Sequence, residues 1–236
     1  SNDVTLLRFF KDAGFRVLGV DPATRIAEEA TASGIETIPA FFNASVAGEI
    51  VAKHGQAKII VANNMIANVD DIIGFRDGIA ELMAPDGVFI FETQYGKDVF
   101  EKMLLDTVYH EHLSYFNVKP ALSFFEAANM QVFDAELIST KGGSIRVFVK
   151  KIGGPNTVSS NLGKIVATEE REGWYDLATY SDFAKKVRAI RERLAGLVST
   201  EQATGNIVVG YGVSVGTTSL LPQFGLEEKL DFLVDD

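Results

Sequence analysis

The sequence predicts an α/β protein built on a doubly wound sheet. Two observations predict it. Strand-like and amphipathic helical runs alternate from the first residues onward. Two of the strand-like runs, "AKIIVANN" and "VFIFET", are continuously apolar, the pattern of strands covered on both faces.

Taken in order, "TLLRFFKDAG" sets Leu6, Leu7, Phe10 and Ala13 at helical spacing and stops at Gly14. "FRVLGVD" is a short β-rich run ending in an acid. "ATRIAEEATASG" is a helix closed by Gly34, and "IETIPAFF" is a strand and turn. After "AKIIVANN", the stretch "VDDIIGFRDGIAELMAPDG" reads as an amphipathic helix and a Pro-Asp-Gly turn leading into "VFIFET". Beyond residue 117 the pattern changes. "PALSFFEAANM" is a helix, and "QVFDAELIST" and "GSIRVFVKK" are strands joined through "KGG", which predicts antiparallel final strands. "GGPNTVSSN" is a polar connection, and residues 160–203 read as helical with charged, solvated faces. "NIVVGYGVSVGTTSLLPQFGLEEKLDFLVDD" then begins a second strand–helix–strand unit. The division expected is 1–153 for the main α/β domain, 154–203 for a helical linker segment, and 204–236 for the start of a second Rossmann-like unit.

Composition narrows the functions. With 236 residues, 47% hydrophobic, the chain is long enough to bury a large core. A net charge of −10 argues against a broad nucleic-acid face. Cysteine is absent, which removes disulfides and thiolate metal ligands within the chain, and a reducing cytoplasm is the expected compartment. No apolar run reaches the length of a membrane span. The expected partners are therefore a small-molecule substrate and a second copy in a homodimer, not nucleic acid or membrane.

Polar residues gather where the strand-like runs end. Asp21 stands eighteen positions after Asp3, a spacing at which dinucleotide folds place an acid on ribose hydroxyls; a turn former is the alternative. "SNDVTLL" offers loop N–H groups through Ser1, Asn2 and Asp3. Phe41 and Phe42 suit either an adenine pocket or the core, and Asn63 and Asn64 either a ligand edge or an Asx turn. Lys141, Gly142, Gly143, Ser144 and Arg146 form a basic, glycine-containing cluster that suits an anionic group or a tight turn. Gly210, Tyr211 and Gly212 follow a strand and open a helix, the setting of a nucleotide-phosphate loop without the dinucleotide spacing.

The densest chemistry lies in "VYHEHLSYF", residues 108–116, with two of the three histidines. His112 is the candidate general base, since an unperturbed imidazole titrates near neutrality. Tyr109 is a candidate donor to a developing oxyanion, and Glu111 a candidate to orient an imidazole or a substrate hydroxyl. An extended segment would turn His110 to the opposite side, as a packed, hydrogen-bonded residue. Two histidines alone do not make a metal site, and none is expected. His54, near a helix end, is assigned no role.

Seven segments in order, "SND.TLL", "GVDPA" with "GIET", "VANN", "PDGVFIFET", "YHEHLSYF", "KGGSIRV" and "GYG.S.GTTSLL", resemble the S-adenosylmethionine-dependent C-methyltransferases that act on nucleotide-linked deoxysugars. The resemblance runs from Ser1 to Asp236 and implies a class I methyltransferase sheet. It implies S-adenosylmethionine held by Ser1, Asn2, Asp3, Asp21, Pro22, Phe42, Asn63 and Asn64, with S-adenosylhomocysteine as product. It implies His112 as base beside Tyr109 and Glu111. It also implies a keto-deoxysugar nucleotide held by Lys141, Gly142, Gly143, Ser144, Arg146, Gly210, Tyr211 and Gly212. Val4 departs from the family's glycine, and a β-branched residue tolerates positive φ badly, so that loop is expected to sit differently. "TKGGS" carries Lys where sugar-methylating members often have His, and relative to the family the chain reads as truncated at both ends. Two other functions fit the same strand ends: an NAD(P)-dependent nucleotide-sugar oxidoreductase or epimerase, and a non-catalytic S-adenosylmethionine-binding relative.

Overall fold

The computed structural model describes residues 4–236. It opens with helix α1 (Thr5–Asp12), strand β1 (Gly19–Val20), helix α2 (Thr24–Ala32), strand β2 (Thr37–Ile38) and helix α3 (Ala44–His54). Strand β3 (Ala57–Asn63), helix α4 (Ile72–Leu82), strand β4 (Met83–Gln94) and helix α5 (Gly96–Glu101) follow. Helix α6 (Val118–Glu126) leads to the hairpin of β5 (Met130–Ile138) and β6 (Ser144–Lys151). Helices α7 (Ser160–Arg171) and α8 (Leu177–Ala203) then precede β7 (Val209–Tyr211), α9 (Val215–Phe224) and β8 (Phe232–Val234).

The result is an α/β fold with a mixed sheet in the order β3–β4–β6–β5. β3 and β4 are parallel, while β6 runs antiparallel to both β4 and β5. Its aromatic core forms because β4 places Phe89 and Phe91 on one face, where they meet Phe125 of α6 at 6.0 and 5.6 Å. Phe116 closes on Phe91 at 5.8 Å. β1 and β2 pair in parallel as a separate two-stranded sheet, and so do β7 and β8.

Several sequence expectations change here. β3 is not covered on both faces: Lys58 and Ile59 are exposed, because among the described residues this strand pairs with β4 alone. The Pro-Asp-Gly segment does not precede a strand but lies inside β4. It loops out where the register moves from Ala57↔Met83 to Ile59↔Val88. Asp86 in that bulge pairs with Lys58, and Gly87 is required because a Cβ would come within 2.8 Å of the Ala57 carbonyl. Val4 keeps a left-handed backbone (φ 57°) despite its branched side chain, which is buried against Leu7, Val17, Ala30 and Ile35. The helical stretch 160–203 is two helices, broken at Gly173 (φ 73°). Its first helix is no free linker: Leu162 and Ile165 of α7 belong to the main core.

Glu169 of α7 is fully buried and accepts four hydrogen bonds. The Tyr95 hydroxyl donates at 2.9 Å, the Val118 and Lys119 amides at 2.7 and 3.0 Å, and the Tyr175 hydroxyl donates as well. The two amides are free N–H groups in the first turn of α6, where a carboxylate is favoured by both hydrogen bonding and the helix dipole. Burial, together with the neighbouring Glu169 charge, pushes both tyrosine hydroxyls well above their usual range. Replacing Glu169 by Ala should lower stability by about 3–5 kcal/mol, since two buried and two part-buried donors lose their acceptor. Glu169→Gln, which keeps an accepting oxygen, should cost less. Urea unfolding of the two variants checks the order; equal midpoints for parent and Glu169→Ala would rule the clamp out.

Candidate active site

The segment between β4 and α6 leaves the carboxyl end of the sheet and returns to it. Tyr95 forms a parallel bridge with Phe116, and the Gly96 amide donates to the Phe116 carbonyl at 2.8 Å. Between these points the chain makes a 3-10 turn at Leu105–Thr107 and a tight turn over Tyr109–His112, closed by His112 N–H donating to the Tyr109 carbonyl at 3.0 Å. The Ala67 carbonyl then holds the Leu113 and Ser114 amides at 2.8 and 3.1 Å. The turn explains how "YHEH" sorts its side chains. Tyr109 and His112, three apart, lie ring on ring at 4.2 Å, while His110 and Glu111 at the tip are exposed. His110 is therefore not the packed residue expected from an extended segment.

His112 is held through both ring nitrogens. Nδ1 lies 2.7 Å from the Thr107 carbonyl and Nε2 lies 3.0 Å from the Tyr109 hydroxyl. A carbonyl only accepts, so Nδ1 carries a proton; in the neutral tautomer this sets, the lone pair falls at Nε2, where the Tyr109 hydroxyl donates. Tyr115 reaches the same Thr107 carbonyl at 3.3 Å and sets its ring edge-on to the imidazole. Thus the imidazole is oriented by a backbone carbonyl, and Glu111 bonds to neither ring. Burial, and secondarily the Glu111 charge, raise the Tyr109 hydroxyl above its ordinary value.

A small polar recess lies beside this dyad. Asn64, Ala67, Asn68, Thr93, Gln94, His112 and Lys141 line it. Asn64 follows β3 with φ 52°, a left-handed backbone that Asn tolerates, and its amide donates to the Glu92 carbonyl at 2.7 Å. Thr93 and Gln94 are the buried polar end of β4. They escaped the sequence reading, although the logic that found Asn63 and Asn64, polar residues ending an apolar strand, applies equally to "ETQ". Thr107 left no signal, because it acts through its backbone.

The basic cluster divides. Arg146 donates to the buried Glu92 carboxylate at 2.8 Å, its register partner across β4 and β6, and lies 3.6 Å from Glu136. Ser144 is buried and donates to the Thr140 carbonyl at 3.1 Å. Gly142 and Gly143 (φ 82° and 149°) bring the backbone close to protein rather than ligand. A Cβ on Gly142 would lie 2.7 Å from Leu104, and one on Gly143 would strike Asp98. Lys141 alone of the five lines the recess.

The remaining candidates are spread wider. Asp21 ends β1, and its Oδ1 accepts the Ala23 amide at 3.0 Å, as a turn former does. Pro22 beside it and Asn63 at the end of β3 are exposed. Phe42 is a core ring, set edge-on to Phe75 at 5.5 Å in space left by Gly78, whereas Phe41 is 79% exposed. Ser1, Asn2 and Asp3 lie outside the described residues. Gly210, Tyr211 and Gly212 do not line the recess; Tyr211 is exposed and donates to Asp236 at 2.7 Å. Their unit nevertheless meets the turn: at the start of α9, Gly216 presses against the Asp106 carbonyl so closely that no Cβ would fit.

Residues 2–134 match the family model described as a methyltransferase domain. The chain belongs to the methyltransferase-domain family. Its cofactor is S-adenosylmethionine. Residues 139–236 match the model of the C-methyltransferase C-terminal domain, so the two models meet inside the β5–β6 hairpin. The chain is 35% identical over 236 residues to the C-methyltransferase NovU of Streptomyces niveus, covering 100% of this chain and 56% of that protein. It thus spans little more than half the length of the curated relative it matches. Among solved structures, a methyltransferase of Anabaena variabilis is 16% identical over 62% of this chain and 73% of its own (TM-score 0.47). One of Clostridium acetobutylicum is 12% identical over 64% and 81% (TM-score 0.47). Family membership sets aside the pyridine-nucleotide reading.

Truncating Arg146 to Ala should destabilise the protein by about 2 kcal/mol, because it strands the Glu92 carboxylate, buried to 7% exposure, without its cation. The partial exposure of Arg146 keeps the figure at the low end of that range. The double change Arg146→Met with Glu92→Leu should recover most of the loss in a urea titration.

Proposed function

We propose that the chain transfers a methyl group to a carbon beside a ketone, and that the acceptor is a nucleotide-linked keto-deoxysugar. One observation supports the reading: the His112 imidazole, held at Nδ1 by the Thr107 carbonyl and at Nε2 by the Tyr109 hydroxyl, lines a polar recess at the ends of β3 and β4. A carbon acid needs such a base, and an imidazole suits neutral pH.

The donor set fits the cofactor. Asp21 offers carboxylate oxygens suited to ribose hydroxyls, and Asn63 and Asn64 offer amides at the end of β3; Pro22, and by sequence Ser1, Asn2 and Asp3, are assigned to the same cofactor. When bound, S-adenosylmethionine supplies an electrophilic methyl group. The protein does the rest. In this reading the substrate C–H takes the place of the Tyr109 hydroxyl at Nε2, and His112 accepts the proton. The freed Tyr109 hydroxyl donates to the carbonyl oxygen, and the amides of Asn64, Asn68 and Gln94 orient the neighbouring hydroxyls. Glu111, exposed at the turn tip, is assigned to a substrate hydroxyl. The C-terminal unit from residue 204 is assigned the nucleotide through Gly210, Tyr211 and Gly212; its seat against Asp106 puts it next to the segment that carries the base.

Two substitutions separate cofactor from chemistry. Asp21→Ala should weaken S-adenosylhomocysteine binding by about 1–3 kcal/mol in calorimetric titration, the worth of hydrogen bonds to a charged group. His112→Ala should leave that binding intact and slow turnover roughly 10²–10⁴-fold. Undiminished turnover in folded His112→Ala would move the base elsewhere.

A further inference from the structure

We infer that Lys141 is a catalytic residue whose ammonium neutralises the enolate oxygen; this rests on the proton-abstraction reading above. Proton removal leaves a full negative charge. As the C–H bond breaks, its electron pair becomes the carbon–carbon double bond of the enolate, the carbonyl π pair moves to oxygen, and the proton goes to Nε2. A phenol hydroxyl can share that charge but cannot cancel it. An ammonium group at the edge of the recess can offset it by direct charge attraction.

Three independent observations single out Lys141. The first is place: it lines the same recess as His112, Asn64 and Gln94. The second is availability. Around it Arg146 is tied to Glu92, Lys102 to Asp98 at 2.9 Å and to the Gly142 carbonyl at 2.7 Å, and Lys97 to Glu101 at 2.6 Å. Lys141 has no ion-pair partner among the described residues. The third is strain. Lys141 sits at φ 52°, ψ 33°, a left-handed backbone that Gly or Asn would adopt at lower cost. The loop around it is over-determined. Thr140 Oγ1 donates to Glu92 at 3.1 Å, the Gly143 amide to the Thr140 carbonyl at 2.9 Å, and the Tyr95 amide to the Gly143 carbonyl at 3.1 Å. A turn alone would not need Lys here, and strain held in place by its surroundings is found where a side chain must be aimed.

The test uses two variants and two readouts. The probe is thymidine-diphospho-4-keto-6-deoxyglucose in deuterium oxide with S-adenosylhomocysteine present, and the signal is exchange of the protons beside the ketone. Lys141→Met should slow exchange at least tenfold, and Lys141→Arg should stay within a few-fold of the parent. Lys141→Asn, which relieves the left-handed backbone, should raise the urea midpoint while also slowing exchange at least tenfold. A merely structural turn residue would move both readouts together. Exchange by Lys141→Met within twofold of the parent overturns the proposal, as does a Lys141→Asn variant that is less stable than the parent. His112→Ala in the same assay separates the two ideas. Parental exchange there, with slow exchange in Lys141→Met, removes the base assignment and keeps Lys141; the reverse pattern removes Lys141 and keeps the base. A parent that exchanges no faster than buffer removes both.

Discussion

The candidate site depends on one buried carboxylate. Glu169 takes the Tyr95 hydroxyl, which stands where β4 ends, and the Val118 amide, which stands where α6 begins. Everything between those two residues is the excursion that carries Thr107, Tyr109 and His112. A single side chain from α7 therefore pins both feet of the loop. The Tyr95–Phe116 bridge, the Lys97 amide donating to Asn117 Oδ1 at 2.8 Å and the Ala67 carbonyl hold the loop beside it. Burying a carboxylate costs several kcal/mol, so the clamp is favourable only because all four donors are present, two of them at a helix N-terminus.

The same interaction shows where a sequence stops being legible. Glu169 sits in "ATEERE", which reads as the solvated face of a helix, and all its partners but Tyr175 lie far away in the chain. Local signals fared better. The strands β3 and β4 and the antiparallel β5–β6 hairpin were visible because residue type and spacing within a few positions encode them. Tertiary pairing defeated the rest. Arg146 reads as a basic anchor until its register partner Glu92 is known, and Pro85-Asp86-Gly87 reads as a turn until the β3 pairing shows a bulge. Phe42 could not be assigned without Gly78 opposite it.

In the site, backbone groups do the orienting and side chains carry the chemistry. A carbonyl from Thr107 sets the tautomer of His112, a carbonyl from Ala67 fixes the chain after it, and glycines 142 and 143 let the neighbouring loop close against Leu104 and Asp98. Orientation by backbone is stiff and independent of pH, because amide and carbonyl groups do not titrate.

The contact between Gly216 and the Asp106 carbonyl also limits how such a chain can be recombined. The C-terminal unit looks like a portable module, because β7 and β8 pair only with each other among the described residues. Yet its helix α9 starts one residue away, through Asp106, from the carbonyl that orients the imidazole. A unit transplanted from a relative with any side chain at that position would shift the 3-10 turn and the imidazole of His112 with it. The C-terminal unit and the turn over Leu105–Thr107 thus share one seam, and a chimera that changes the unit must rebuild that seam with it.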